Sequence, residues 1–228
     1  MAEAVVLLSG GLDSSTVLAM ALERGFEVVA LSFDYGQKHK KEIDCARKVA
    51  KHFKVKEHIV VHLNLGELLA SSLTRKSMEI PEDRKRSEIG QGIPDTYVPG
   101  RNIVFLSIAS SLAESRGSEA VLIAANAVDF SGYPDCTPEF IQSFQNTLVV
   151  GTKAGKEGRA VAVQAPLLKL SKGEIVKEAV RLKVPLELTW SCYRGGKKAC
   201  GRCDSCLLRL EGFAAAGIKD PLQYEVNK

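Results

Sequence analysis

A run of apolar residues from Ala4 to Leu8 feeds directly into Ser9-Gly10-Gly11, and a helical pattern begins at once from Asp13. Few features constrain a fold more. Strand, glycine turn and helix in that order open a parallel β-α-β unit and aim the helix start at the end of the strand. The glycines let the backbone turn tightly and approach an anion with no Cβ in the way. The N–H groups at the positive end of the helix dipole then face that anion. Ser9, Ser14, Ser15 and Thr16 add hydroxyl donors, and Asp13 stands where it can hold a magnesium ion bridging phosphates. Leu8 through Thr16, with Leu12 between, is therefore the expected phosphate-gripping segment.

The alternation continues. Glu27 to Phe33 reads as a second strand, and residues 38–53 place Ile43, Ala46, Val49, Ala50 and Phe53 at helical spacing. Ile59 to Val61 is a third short strand. Residues 71–100 break the rhythm: they are polar, contain Pro81, Pro94 and Pro99, and suit a lid or a mobile segment. Asn102 to Arg116 is apolar nearly all round and reads as a buried helix, and Glu119 to Ala124 as a central strand. After a loop from Ala125 to Pro138 come a helix over Glu139 to Val150 and a last strand over Ala160 to Val163. Ser171 caps a further helix through about Leu182. The series predicts an α/β fold, a doubly wound parallel sheet of five strands, over residues 1–185. After Pro185 the composition shifts to a small cysteine-rich tail, residues 186–228.

The net charge of +4 over 228 residues does not demand nucleic acid as a partner. The basic residues gather between Lys38 and Lys56, opposite the apolar stripe, as a solvated helix face or a basic rim for phosphate-bearing ligands. No run approaches the roughly 20 apolar residues that span a bilayer, and no basic leader precedes Ala4. A cytoplasmic protein without a membrane partner is expected. Four of the six cysteines, Cys192, Cys200, Cys203 and Cys206, crowd together. Without an export signal this favours a metal over disulfides, and four thiolates that close a tetrahedron suit one structural zinc ion. An iron–sulfur cluster is the rival, and a redox pair fits less well because four cysteines converge. Asp204 or Ser205 is placed to cap a following helix through about Ala216. Cys45 reads as core, and Cys136 stands in a functional-looking loop. Of the four histidines only His39 follows a strand end, near a substrate; His52, His58 and His62 read as surface residues.

Two familiar phosphate loops are excluded. A Walker loop ends in Gly-Lys-Ser/Thr, and no lysine follows here; a dinucleotide fingerprint needs a third glycine where Ser14 stands. What remains, Ser9-Gly10-Gly11-Leu12-Asp13-Ser14, resembles the signature loop of the N-type ATP pyrophosphatases, which cleave ATP to AMP and pyrophosphate.

The wider chain resembles the 7-cyano-7-deazaguanine synthase family of queuosine biosynthesis over nearly its full length. The match rests on Ser9 to Thr16, Phe33-Asp34-Tyr35-Gly36-Gln37, Val98-Pro99-Gly100-Arg101-Asn102, Asn126 to Cys136 and the cysteine tail. Ala124-Ala125 departs from it, since a glycine is expected before Asn126. The resemblance implies a homodimeric ligase that uses ATP, magnesium and ammonia to turn 7-carboxy-7-deazaguanine into the nitrile, through an adenylated acid and then an adenylated amide. Free ammonia is the expected nitrogen source, since no glutaminase domain fits in the remaining sequence. Expected catalytic residues are Asp13, Ser14 and Arg101, with Ser32 and Phe33 joining the loop around the nucleotide. Tyr35, Asn126, Asp129, Tyr133 and Asp135 are expected around the base, with Asp129 and Asp135 both candidates for its N–H edge and Phe130 another stacking ring. Arg101, Lys169 and Lys172 are candidate phosphate contacts, although Lys172 reads more simply as a solvated lysine. A loop-sharing tRNA-thiolating or lysidine-forming enzyme, and a non-catalytic nucleotide sensor, are the alternatives.

Overall fold

The protein is described by a computed structural model covering residues 1–75, 77–126 and 132–225. The elements are β1 (Glu3–Leu7), α1 (Leu12–Glu23), β2 (Glu27–Asp34), α2 (Lys41–His52), β3 (Glu57–His62) and the one-turn α3 (Leu65–Leu68). There follow α4 (Arg101–Arg116), β4 (Ala120–Leu122), α5 (Pro138–Gly151), α6 (Lys153–Lys156), β5 (Ala162–Gln164), α7 (Lys172–Arg181) and α8 (Asp204–Ala216). The five strands are all parallel in the order β3-β2-β1-β4-β5.

β1 is apolar at successive positions because a central parallel strand is covered on both faces. Ala4, Val6 and Leu8 meet Val17 and Leu18 of α1, Val49 of α2, Ile175 of α7 and Phe213 of α8. Val5 and Leu7 face the other way, against Leu106 and Ala109 of α4 and Phe144 of α5. Each fully buried Val, Leu, Ile or Phe side chain among them contributes about 1.5–3 kcal/mol. The tail thus shares the core of the sheet. Its ends are also pinned: Arg209 pairs with Asp220 at 2.7 Å, both nearly inaccessible, and Tyr224 donates to the same carboxylate at 2.6 Å.

The departures from expectation have local causes. α2 starts at Lys41 rather than residue 38, because Gln37 folds back to accept from Tyr35 N at 2.8 Å and closes a turn after β2. α4 is covered on one face only. Ile103 is 48% exposed, and Ser107 and Ser111 on the open side donate to their own helix carbonyls at 2.8 and 3.0 Å. α8 begins after Cys203, with neither Asp204 nor Ser205 as its cap; Asp204 instead pairs with Arg84 at 2.9 Å. α3 and α6 are too short to leave a periodic signal. Helix α7 does open with the anticipated Ser171, which forms a reciprocal capping box with Glu174. Residues 71–75 and 77–100 form a strap of turns, with Leu73, Ile89 and Val98 buried. The strap is tied to the tail: Glu82 and Cys203 form an antiparallel bridge, and Asp83 N donates to Arg202 O at 2.9 Å. Among the described residues no helix is long and apolar enough to cross a membrane. The strand order reverses between β1 and β4, so a crevice opens at their carboxyl ends, where open parallel sheets bind ligands.

Candidate active site

A cavity of ≈ 320 Å³ fills that crevice. Its first end is the glycine loop. Gly10 has φ +85, and a Cβ there would lie 2.3 Å from Glu42 O and 2.5 Å from Ala46 N, so only glycine lets α2 dock against the loop. Gly11 is the N-cap of α1 with no side chain capping it, which leaves the first helical N–H groups for an anion. Ser9 Oγ and Ser14 Oγ lie 2.9 Å apart, and Ser9 N donates to Ser14 Oγ at 3.2 Å, which folds the loop into a cradle. Leu8, Gly11, Leu12 and Asp13 complete this end, and Asp13 is held by Lys172 Nζ at 2.6 Å. Lys172 is therefore not a solvated lysine. Its stem packs on Gly212 of α8, and its ammonium faces the cavity at 16% side-chain exposure.

Three expected hydroxyls are directed elsewhere. Ser15 Oγ donates to Gly11 O at 2.7 Å and Thr16 Oγ1 to Leu12 O at 2.8 Å, because both project onto the preceding turn of their own helix. Ser32 lies beneath the loop, donating to Leu8 O at 2.5 Å and meeting His58 Nε2 at 2.7 Å. His58 is accordingly a half-buried partner of the sheet rather than a surface residue. His39 packs under Gly195 of the tail and does not line the cavity.

The second end gathers residues from four segments. Phe33 stacks on Phe105 of α4 with centroids 4.0 Å apart, and Tyr35 sits beside them. Arg101 donates to Tyr35 Oη at 3.4 Å. Asn126 donates to Leu170 O at 2.5 Å and Leu167 O at 3.3 Å, tying the end of β4 to the turn before α7. Tyr133 Oη lies 2.8 Å from Thr96 Oγ1 and 3.5 Å from Tyr193 Oη. Asp135 is absent from the lining: it is buried and accepts from Asn102 N at 3.0 Å, holding the start of α4. Asp129 and Phe130 lie outside the described residues. Lys169 is exposed and away from the cavity.

Residue-by-residue reading did not single out Glu42, Trp190, Ser191 or Tyr193, which also line the space. The available signals were faint: Glu42 is the first acid of a basic helix, and Trp190 is the only tryptophan of the chain. Burial pushes the Glu42 carboxyl up to about 7, against the pull of the Arg101 charge, with Cys192 adding to the rise. Burial likewise raises Tyr35 and Tyr193, so both stay neutral hydroxyl donors. It pushes the Cys136 thiol up to about 11, which keeps this lining residue protonated and unreactive at neutral pH.

The tail forms one wall. Trp190 N donates to Gly10 O at 2.9 Å, Trp190 Nε1 donates to Cys192 O at 2.8 Å, and Lys41 Nζ stands 3.3 Å over the indole. Behind this wall the sulfurs of Cys192, Cys200, Cys203 and Cys206 all lie within 4.8 Å of one another and are buried. Backbone N–H groups of Cys200 and Cys203 donate to sulfurs at 3.3 Å, as they do to thiolates. Hydrogen bonds from the Cys203 and Cys206 thiols hold Cys192 toward its thiolate. A tetrahedral ion with bonds of about 2.3 Å needs sulfurs about 3.8 Å apart, and Cys200 and Cys206 are 3.9 Å apart. The donor set fits one four-thiolate metal ion with no open position, which makes its role structural.

A parallel sheet with an uncapped Ser-Gly-Gly loop at its switch point defines a nucleotide-binding protein of the PP-loop class. The structure of a 4-thiouridine synthetase in complex with RNA and bound ATP shares the fold, at 21% identity and a TM-score of 0.52 over 93% of this chain and 53% of that one. Residues 3–217 match the family model described as queuosine biosynthesis protein QueC. The 7-cyano-7-deazaguanine synthase of Desulfitobacterium hafniense (strain DSM 10664 / DCB-2) is 54% identical over 98% of this chain and 94% of its own length. That of Acetivibrio thermocellus is 53% identical over 98% of both. The chain belongs to the QueC family of queuosine biosynthesis proteins.

Proposed function

We propose that this enzyme converts 7-carboxy-7-deazaguanine and ammonia to 7-cyano-7-deazaguanine, using ATP and releasing AMP and pyrophosphate. As a QueC-family protein it is an ATP-dependent enzyme of queuosine biosynthesis, and a carbon–nitrogen ligase fits that place. The observation that carries the substrate reading is one continuous cavity. It has the phosphate cradle at one end and Tyr35, Arg101, Asn126 and Tyr133 at the other. A carboxylate is a poor electrophile. Adenylation gives it AMP as a leaving group, ammonia then yields the amide, and a second adenylation on the amide oxygen permits elimination to the nitrile.

In this reading the uncapped N–H groups of α1, Ser9 and Ser14 receive the phosphates, with their donors already in place before charge develops. Asp13 is the carboxylate for magnesium, which would neutralise departing pyrophosphate, and Lys172 adds a cation at the same place. Arg101, beside Tyr35 at the second end, contacts the α-phosphate or the acid. Phe33 lies along the nucleotide, and Tyr35 and Tyr133 flank the base. Asn126 sets the end of β4, and Asp129 stays the candidate for the N–H edge of the base. Residues 1–185 handle the chemistry, and 186–228 hold a structural zinc ion packed on them. The partners are small molecules rather than RNA, the assembly is a homodimer, and the enzyme is cytoplasmic.

Incubation with ATP, ammonium and 7-carboxy-7-deazaguanine should yield the nitrile by mass. Asp13→Asn should cut AMP release about 100- to 1000-fold, the cost typical of one preorganised electrostatic contact, with an unchanged melting temperature. Undiminished turnover in that variant would remove Asp13 from the magnesium role.

A further inference from the structure

Among the described residues two carboxylates, Asp13 and Glu42, line the cavity. Asp13 is engaged by Lys172 at 2.6 Å, whereas the Glu42 carboxylate makes no hydrogen bond or ion pair among the described residues. Its place is fixed, because its backbone carbonyl packs against Gly10, where a Cβ would come within 2.3 Å. Glu42 therefore lines the cavity beside the glycine loop, close enough to Arg101 and Tyr35 for their charges to act on one another. Glu42 is half-buried on the cavity wall with no ion-pair partner, and a small cation is the complement its site lacks. Arg101 acts on Glu42 only through its charge and makes no ion pair with it, since its guanidinium donates to Tyr35 Oη at 3.4 Å.

On the adenylation reading above, we propose that Glu42 is the ammonium site of this enzyme: it binds the cation and takes the proton that frees the nitrogen lone pair. The step balances. One N–H proton passes to the Glu42 carboxylate, and the lone pair forms the C–N bond at the acyl carbon. The C–O bond to AMP then breaks with its electrons on the phosphate oxygen, and a second N–H proton leaves to solvent. The raised proton affinity of Glu42 suits an acceptor working near neutral pH.

The test separates adenylation from amination. Acid-dependent exchange of pyrophosphate into ATP, without ammonium, reads adenylation alone. Glu42→Gln should keep this exchange while ammonium-dependent amide formation falls about 100-fold or more, with a raised KM for ammonium. Hydroxylamine is uncharged at neutral pH and needs no proton removed before attack, so it should give the hydroxamate equally well in both enzymes. Glu42→Asp keeps a carboxylate and should recover part of the ammonium use; it gives the same reading should the glutamine variant fail to fold. Equal losses with ammonium and hydroxylamine, an unchanged ammonium KM, or loss of exchange in the variant would each overturn the assignment. Absence of exchange in the unmodified enzyme would instead bring down the adenylation reading, and this inference with it.

Discussion

The two ends of the cavity are built in opposite ways. The phosphate end is a local structure: Ser9 to Ser14 contact one another through hydrogen bonds spanning five residues or fewer. The other end is assembled from segments that meet only in the folded chain, among them Phe33 to Gln37, Arg101 and Asn102, Tyr133, and Trp190 to Tyr193. One end can be preformed by six residues and a helix dipole. The other exists only while the strap and the cysteine tail are in place. On the proposed function, phosphate chemistry would sit on the robust part and recognition of the base on the dependent part.

Removing the metal should break the second end first and most severely. Structural four-ligand zinc sites supply on the order of 10 kcal/mol of folding energy. Chelation or Cys203→Ser should therefore dismantle the tail and release the strap bridged at Glu82. Trp190 is the sole tryptophan and is 4% exposed, so its emission should shift to the red while far-ultraviolet dichroism keeps the sheet signal. Full retention of both stability and Trp190 burial after metal loss would show the wall to be self-supporting.

Gly10→Ala should strike the joint between the ends. The added Cβ meets two backbone atoms within 2.5 Å at a positive φ, and strain plus overpacking should cost about 3–6 kcal/mol. A urea midpoint moved by less than a third of that would mean that α2 can retreat.

The smallest effect should appear far from both ends, at the start of β1. Glu3 accepts from Arg116 at 2.9 Å and from Ser118 at 2.6 Å, and Arg116 above all holds its carboxyl down to about 2. Because the folded value lies below the ordinary 4.5, the stabilisation is complete above that pH and is lost as pH falls toward about 2. Glu3→Gln should cost about 1 kcal/mol at neutral pH after allowance for solvent screening. Thermal melts of the two proteins should converge below pH 4.5, and nucleotide exchange should be unaffected.

The same contrast governs what the residues disclose. Adjacent apolar runs and Ser-Gly-Gly announced the sheet and the cradle, because backbone turns and helix starts are set by neighbours. The cysteine cluster was equally plain, since three of its ligands fall within seven residues. Lys172 was hidden: its partner Asp13 lies 159 positions away, and nothing local distinguishes it from a solvated lysine. Ser15 and Thr16 misled in the reverse sense, since a hydroxyl in the right turn says nothing about which way the helix points it. Glu42 sat in a stretch whose charge pattern offered a wet surface or a basic rim, and nothing in it marked an acid turned toward the cavity.

The bond from Trp190 N to Gly10 O joins the beginning of the chain to a part made much later. Domains fold as they leave the ribosome, so the first strands and α1 can assemble early. Their nucleotide loop must then wait, unclamped, until some 180 further residues have been synthesised. Metal capture by the nascent tail would thus be the event that turns a folded sheet into a finished enzyme.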